Sequence, residues 1–232
     1  PEGEAFAEPL RAEGVDVRLL AADTSDEAAM RAVLGSLSHP LRGVVHAAGV
    51  LDDGVAKDLT PERVAKVWGP KVGGAAVLDR LTRDLDLDAF VLFSSVAGTL
   101  GSAGQSSYAA ANLWLDALAA ERHDAGLPAT SLAWGPWAGG GMAAELSAAD
   151  RARQAREGVR PLEAAEGMAL FEAAITRAEP ALVPTAFDLS ALSRAPRLRP
   201  ALRGLVRPTG RRAAARRVDA DSGFAAELAP LS

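Results

Sequence analysis

From Val15 to Phe187, short apolar runs alternate with stretches of helical periodicity, and this alternation limits the possible folds more than any other feature of the chain. The runs are Val15–Ala22 (VDVRLLAA), Arg42–His46 (RGVVH), Ala89–Phe93 (AFVLF), Ala129–Trp134 (ATSLAW) and Ala181–Phe187 (ALVPTAF). Four to eight β-branched and apolar residues between turn signals read as buried strands. Pro184 cannot donate to a ladder, which puts the last run at a sheet edge. Between them, Thr24 and Ser25 are cap candidates for a helix running to about Leu37. Thr60-Pro61-Glu62 starts another that reaches about Trp68. Further helices are expected from Val72 towards Thr82, over Ser106–Ala125 and over Leu162–Arg177, and Pro1–Gly14 reads as the end of a helix. There is no internal repeat. The pattern predicts an α/β fold with a doubly wound, mostly parallel sheet.

The 232 residues suffice for one large domain, or one domain and a tail. With no Cys, a disulfide scaffold, a cysteine nucleophile and a thiolate metal site are excluded. His39, His46 and His123 lack metal-ligand spacing, so no metal site is expected. No apolar run is long enough to span a bilayer and no leader pattern opens the chain, so a cytoplasmic protein without a membrane partner is expected. The net charge of −5 hides an asymmetry: residues 194–217 hold nine Arg and no acid, and the rest carries 16 bases against 30 acids. The expected division is a catalytic unit over 1–193 and an Arg/Ala/Pro-rich linker over 194–232, disordered at its end. Ala and Pro interleave the arginines of this tail without aromatics, so nucleic acid is not the expected partner.

In doubly wound sheets, ligands sit at the carboxyl ends of the strands. Those ends are Asp23, Ala47-Ala48-Gly49, Ser94-Ser95 and Gly135-Pro136-Trp137. Tyr108 is the only Tyr and Asn112 the only Asn. Four residues apart at a helix start, they share a face. Ser95 precedes Tyr108 by a small-residue loop, Val96–Ser107, that can fold its hydroxyl back towards the phenol. A phenol needs its pKa lowered by roughly three units, or about 4 kcal/mol, to act as an acid–base group near neutrality. A nearby ammonium favours the phenolate. Of the three Lys, Lys71 is fixed by Pro70 at a helix start, whereas Lys57 and Lys66 read as surface charges. His46 reads as a satisfied strand residue, and Trp134 and Trp137 read first as core and rim.

Four ordered blocks carry a resemblance: HAAGVLDDGV (46–55), LTPERVAKVWGPKVGGA (59–75), FVLFSSVAGTLGSAGQSSYAAAN (90–112) and GLPATSLAWGPWAGGGM (126–142). Ser95, Tyr108 and the Ala47-Ala48-Gly49 turn resemble the short-chain dehydrogenase/reductase superfamily. Asn112, standing where that superfamily usually has Lys, together with Pro70-Lys71-Val72, resembles the ketoreductase domains of modular type I polyketide synthases. The resemblance implies a Rossmann-like sheet and NADPH-dependent reduction of a β-ketoacyl chain carried on the phosphopantetheine of an acyl carrier protein. It implies that Tyr108 donates a proton, Ser95 orients the carbonyl, Lys71 depresses the Tyr pKa and binds the nicotinamide ribose, and Asn112 holds a water. Asp23 resembles the adenine contact, and Ala47, Ala48, Gly49, Pro136 and Trp137 resemble the dinucleotide-cleft lining. Leu51-Asp52-Asp53 resembles the B-type motif that gives the D (R) hydroxyl. Leu100, where A-type domains carry Trp, agrees, and Ala103, where epimerising B-type domains carry Pro, implies reduction without epimerisation. Residues 139–158 resemble a mobile lid, and the tail is then a linker towards a carrier protein. The alternatives are a non-reducing structural ketoreductase-like domain, a discrete β-ketoacyl reductase and a basic-tailed binding protein.

The family's Gly-rich phosphate loop and its first two strands have no counterpart before Val15. The expectation is an N-terminally truncated sheet whose Val15–Ala22 run has no neighbour and whose Arg42–His46 strand has an open edge. The missing upstream part of the domain and the other synthase domains are then expected partners. The fragment alone is expected to be inactive and not to fold cooperatively.

Overall fold

A computed structural model describes residues 2–139, 155, 157–195 and 198–206. In chain order the elements are α1 (Glu2–Ala12), α2 (Glu27–Gly35), β1 (Gly43–His46), α3 (Pro61–Trp68), a π-turn (Gly69–Gly73), α4 (Gly74–Thr82), β2 (Ala89–Ser95), α5 (Val96–Leu100), α6 (Ser106–Asp124), β3 (Thr130–Trp134), β4 (Val159–Arg160), α7 (Ala164–Ile175), β5 (Ala181–Leu182), β6 (Ala186–Phe187) and α8 (Leu189–Arg194).

The main sheet runs β1-β2-β3-β5, every pair parallel, with Val45 opposite Val91 and Leu92 opposite Ser131. β4 and β6 form a small antiparallel pair. Side chains alternate across β2. Phe90 and Leu92 face a core built with Val44 of β1, Val77 and Leu78 of α4, and Leu115 and Leu118 of α6. Val91 joins Leu132, Trp134, Leu162 and Ala174 on the other face, under α7. Helices on both faces are what a parallel sheet of near-continuous apolar strands requires, so the expected α/β doubly wound fold is the one observed.

A buried ion pair fixes α6 against α4. Arg122 Nη1 donates to Asp79 Oδ1 at 2.6 Å, and its guanidinium carbon lies 4.0 Å from the Phe90 ring centroid. Thr60 caps α3 by accepting from the Arg63 amide, with Pro61 in the first turn, as its sequence predicts.

Four expectations need correction. Val15–Ala22 is not a strand: it lacks a neighbour among the described residues, as expected, and without a ladder the run forms no strand and leaves Val15, Leu19 and Leu20 exposed. The α2 cap is Asp26, which accepts from Ala28 and Ala29, not Thr24 or Ser25. Residues 96–107 are not all loop, because Ser95 caps the one-turn helix α5 by accepting from the Ala97 amide at 3.2 Å. The run over 181–187 is two short strands, β5 and β6, on either side of Pro184.

The first stretch after Ser193 contains a 3-10 turn, Pro200–Leu202, whose Leu202 is buried. The expected lid falls almost wholly on residues 140–154, outside the described set, as does the end of the expected linker, 207–232. Among the described residues, no helix is long and apolar enough to cross a membrane, and no cluster of three His, Asp or Glu could hold a metal ion.

Candidate active site

The site lies where β1, β2 and α6 meet the π-turn. Pro70 has no N–H, so regular i→i−4 bonding cannot run through it. The backbone widens, the Gly74 amide reaches the Gly69 carbonyl, and Lys71 turns inward on that bulge. Lys71 is 1 % exposed. Its Nζ donates to the Phe93 carbonyl at 3.0 Å and lies 5.4 Å from the Tyr108 ring centroid. Burial pushes its pKa down to about 8, partly opposed by the Asp116 carboxylate. The other two Lys differ: Lys66 pairs with Asp52 and Lys57 is exposed.

Tyr108 is buried among Val67, Ala97, Ala111, Leu51, Trp68 and Val72. Burial raises the pKa of its phenol, opposed by the Ser95 and Asn112 side chains, which favour the phenolate. The Asp53 charge adds to the rise. The expected lowering of this phenol's pKa by the Lys71 cation is corrected: burial is the largest influence on it and pushes its pKa up. Asn112 is 0 % exposed; its Nδ2 donates to the Tyr108 carbonyl at 2.7 Å, and its Oδ1 has no partner. A buried orphan acceptor fits a bound water. His46 Nε2 lies 3.0 Å from the Lys71 carbonyl and burial lowers its pKa, so it is a neutral donor that anchors the π-turn.

Gly49 abuts Lys71: a Cβ there would stand 3.0 Å from Lys71 Cε. Ala47 and Ala48 lead to it from the end of β1. An ammonium has three donors, and one meets Phe93 O. This chemistry fits a ribose hydroxyl beside Lys71 and Gly49, the nicotinamide end of a dinucleotide. Among the described residues, no glycine-rich strand-to-helix turn offers amides to a pyrophosphate.

The remaining predicted residues divide. Leu51 packs on the Tyr108 cluster. Asp53 accepts from Gln105 Nε2 at 2.8 Å, and the Gly54 amide meets the Gly104 carbonyl at 2.8 Å, beside Ala103. Asp52 faces α3 instead, paired with Arg63 and Lys66. The Leu100 carbonyl accepts from Arg199. Asp23 is exposed, its carboxylate held by the Ser25 amide and hydroxyl, which keep its pKa low. Pro136 gives its carbonyl to the Leu162 amide. The Trp137 ring packs on Trp134 and over Gly167, away from the Tyr108 cluster. Sequence reasoning missed Arg63, Gln105, Arg199 and Asp116. Only Asp116 had a signal, eight residues after Tyr108 on the same helix face.

A family model described as "KR domain" matches residues 1–139. Polyketide synthase GfsB of Streptomyces halstedii is 50 % identical over 215 residues, which span 90 % of this chain and 4 % of that protein. The solved first ketoreductase of the tylosin PKS is similar at TM-score 0.75 and 42 % identity, over 83 % of this chain and 42 % of that one. An A-type ketoreductase from a modular polyketide synthase is similar at TM-score 0.80 and 37 % identity, over 90 % of this chain and 44 % of that one. The chain thus spans under half the length of these solved relatives.

Proposed function

The chain belongs to the KR domain family of modular polyketide synthases, and from that premise we propose that it forms the catalytic portion of an NADPH-dependent β-ketoacyl reductase. The substrate is a β-ketoacyl chain on the phosphopantetheine of an acyl carrier protein, and the product is the D (R) β-hydroxyacyl chain. Residues 1–193 supply the catalytic portion and 194–232 lead towards the carrier protein. The observation that carries this reading is the convergence of four side chains from three elements: Lys71 from the π-turn, Ser95 from β2, and Tyr108 and Asn112 from α6.

Tyr108 gives its phenolic proton to the substrate carbonyl oxygen. Ser95 donates a hydrogen bond to the same oxygen and fixes its position. Lys71 holds the nicotinamide ribose through the donors it does not give to Phe93, and its charge stabilises the phenolate left on Tyr108. Asn112 Oδ1 holds the water from which that phenolate is reprotonated. NADPH, when bound, supplies the hydride that reaches the β-carbon; with the proton from Tyr108 this balances the reduction of ketone to alcohol. By the resemblance, Ala47, Ala48 and Gly49 line the dinucleotide cleft with the Pro136 backbone, and Gly49 beside Lys71 is on its nicotinamide side. Asp23 is assigned to the adenine side and Trp137 to the lining of the dinucleotide cleft, on the resemblance alone. Leu51, Asp53, Leu100 and Ala103 flank the substrate, without epimerisation at the α-carbon.

The test is Tyr108→Phe in the intact synthase polypeptide that carries this chain. NADPH oxidation with a β-keto thioester should cease while NADPH binding, followed by cofactor fluorescence, persists. Retained turnover would remove Tyr108 from the mechanism.

A further inference from the structure

The resemblance assigned the Leu51-Asp52-Asp53 turn to stereochemical control, yet Asp52 does not face the site. Arg63, one turn into α3, donates from Nε and Nη2 to Asp52 Oδ1 at 2.8 and 2.5 Å. The same Nη2 donates to the Asp53 carbonyl at 2.7 Å, and Nη1 donates to the Asp58 carbonyl at 3.0 Å. Lys66 Nζ, a further turn along, takes the other Asp52 oxygen at 3.2 Å. Both Asp52 oxygens are thus occupied by cations from α3, which holds its pKa low. Gly54 completes the clamp: a Cβ there would fall 2.8 Å from Arg63 Nη1, so the guanidinium lies flat against a bare Cα. On its far side the turn is tied to the segment entering α6, through Asp53 to Gln105 and Gly54 to Gly104.

We propose that Arg63 is a positioning residue that sets the stereochemistry of reduction. It touches neither Tyr108 nor the reacting atoms. A planar fork that meets one carboxylate and two backbone carbonyls fixes the turn in one conformation, which a flexible point charge cannot do. Asp52 is the handle by which α3 grips the turn, and Asp53 and Leu51 are the groups presented to the substrate. With the grip released, the turn samples several conformations and both faces of the ketone reach Tyr108. The inference rests on the reductase reading above.

The experiment uses the intact synthase polypeptide carrying this chain and a diketide thioester. The two alcohol epimers are separated by chiral chromatography, with kcat and KM measured alongside. Three variants release the clamp in different ways: Arg63→Lys keeps the charge and loses the fork, Asp52→Asn removes the carboxylate charge, and Gly54→Ala levers the guanidinium away without changing any charge. Each should raise the minor epimer about tenfold and raise KM while kcat stays within about threefold. Gly54→Ala alone decides the matter if the charge variants fail to fold. An unchanged epimer ratio in the folded variants overturns the role of Arg63. Wild-type protein yielding no alcohol overturns the reductase reading and this inference with it. Wild-type protein yielding the opposite hydroxyl overturns only the D assignment, and the shift in ratio still judges Arg63.

Discussion

Replacing Lys71 by Met should abolish reduction and make the protein more stable. Lys71 is buried at 1 % exposure, and its pKa falls from an ordinary 10.5 to about 8. Because the folded value lies below the unfolded one, the unfolded chain binds the extra proton between about pH 8 and 10.5. Protonation therefore opposes folding fully below pH 8, and this opposition fades as pH rises towards 10.5. Two and a half units correspond to about 3 kcal/mol at pH 7. Met is close to Lys in length and apolar, so it fills the space without the charge; losing the bond to the Phe93 carbonyl returns about 1 kcal/mol. The net gain is about 2 kcal/mol at pH 7, or roughly 4 to 8 °C in the melting of a domain of this size. By pH 9.5 the charge penalty has dropped to about 1 kcal/mol, and the advantage of the variant should nearly vanish. Differential scanning calorimetry of the intact polypeptide at pH 7 and 9.5, wild type against Lys71→Met, measures both numbers. A variant less stable than wild type at pH 7, or a difference that does not shrink with pH, refutes the reasoning.

Two further outcomes follow from the same geometry. If the Lys71 ammonium is the form that supports proton donation, kcat/KM should fall by about half at pH 8 and about tenfold by pH 9 as that proton is lost, while the raised Tyr108 pKa keeps the phenol protonated; a profile flat to pH 9.5 contradicts this. Arg122→Ala leaves the Asp79 carboxylate with the half-exposed Arg83 as its remaining partner, 3.1 Å from the other oxygen, and uncovers the Phe90 ring; it should cost about 3 kcal/mol, read as a lower urea midpoint, and a cost under about 1 kcal/mol would mean that α4 and α6 do not depend on the pair.

Where signals are local, the fold was legible. Thr60 and Pro61 define the start of α3 within a single turn, and the all-apolar Ala89–Phe93 run defines the core of β2. Signals that need a partner failed. Val15–Ala22 has strand composition, but a strand exists only by pairing, and no periodicity supplies the neighbour. The α2 cap went to Asp26 because its rivals are taken: Asp23 is bonded to Ser25, and Thr24 packs against Gly74. α5 is too short for a periodicity and exists because the Ser95 side chain, itself a site residue, starts it.

The site divides in the same way. Tyr108 and Asn112 were visible because helical spacing puts them on one face, and Lys71 because Pro70 constrains its backbone. The Arg63 clamp was invisible, since it depends on where α3 lies against the 51–54 turn. The titration behaviour shows most clearly what spacing omits. Sequence gives the identity of a cation near a phenol, and from that alone the phenol should be acidic. The folded chain buries both groups, and burial acts on each towards its neutral form, Tyr108 upwards and Lys71 downwards. A neutral phenol is the form that can donate a proton. Under the proposed mechanism, the cation 5.4 Å from the ring centroid would act where charge develops, on the phenolate left after transfer. In the proposed mechanism, the Lys71–Tyr108 pair would therefore stabilise the state after proton donation and would not pre-ionise the donor.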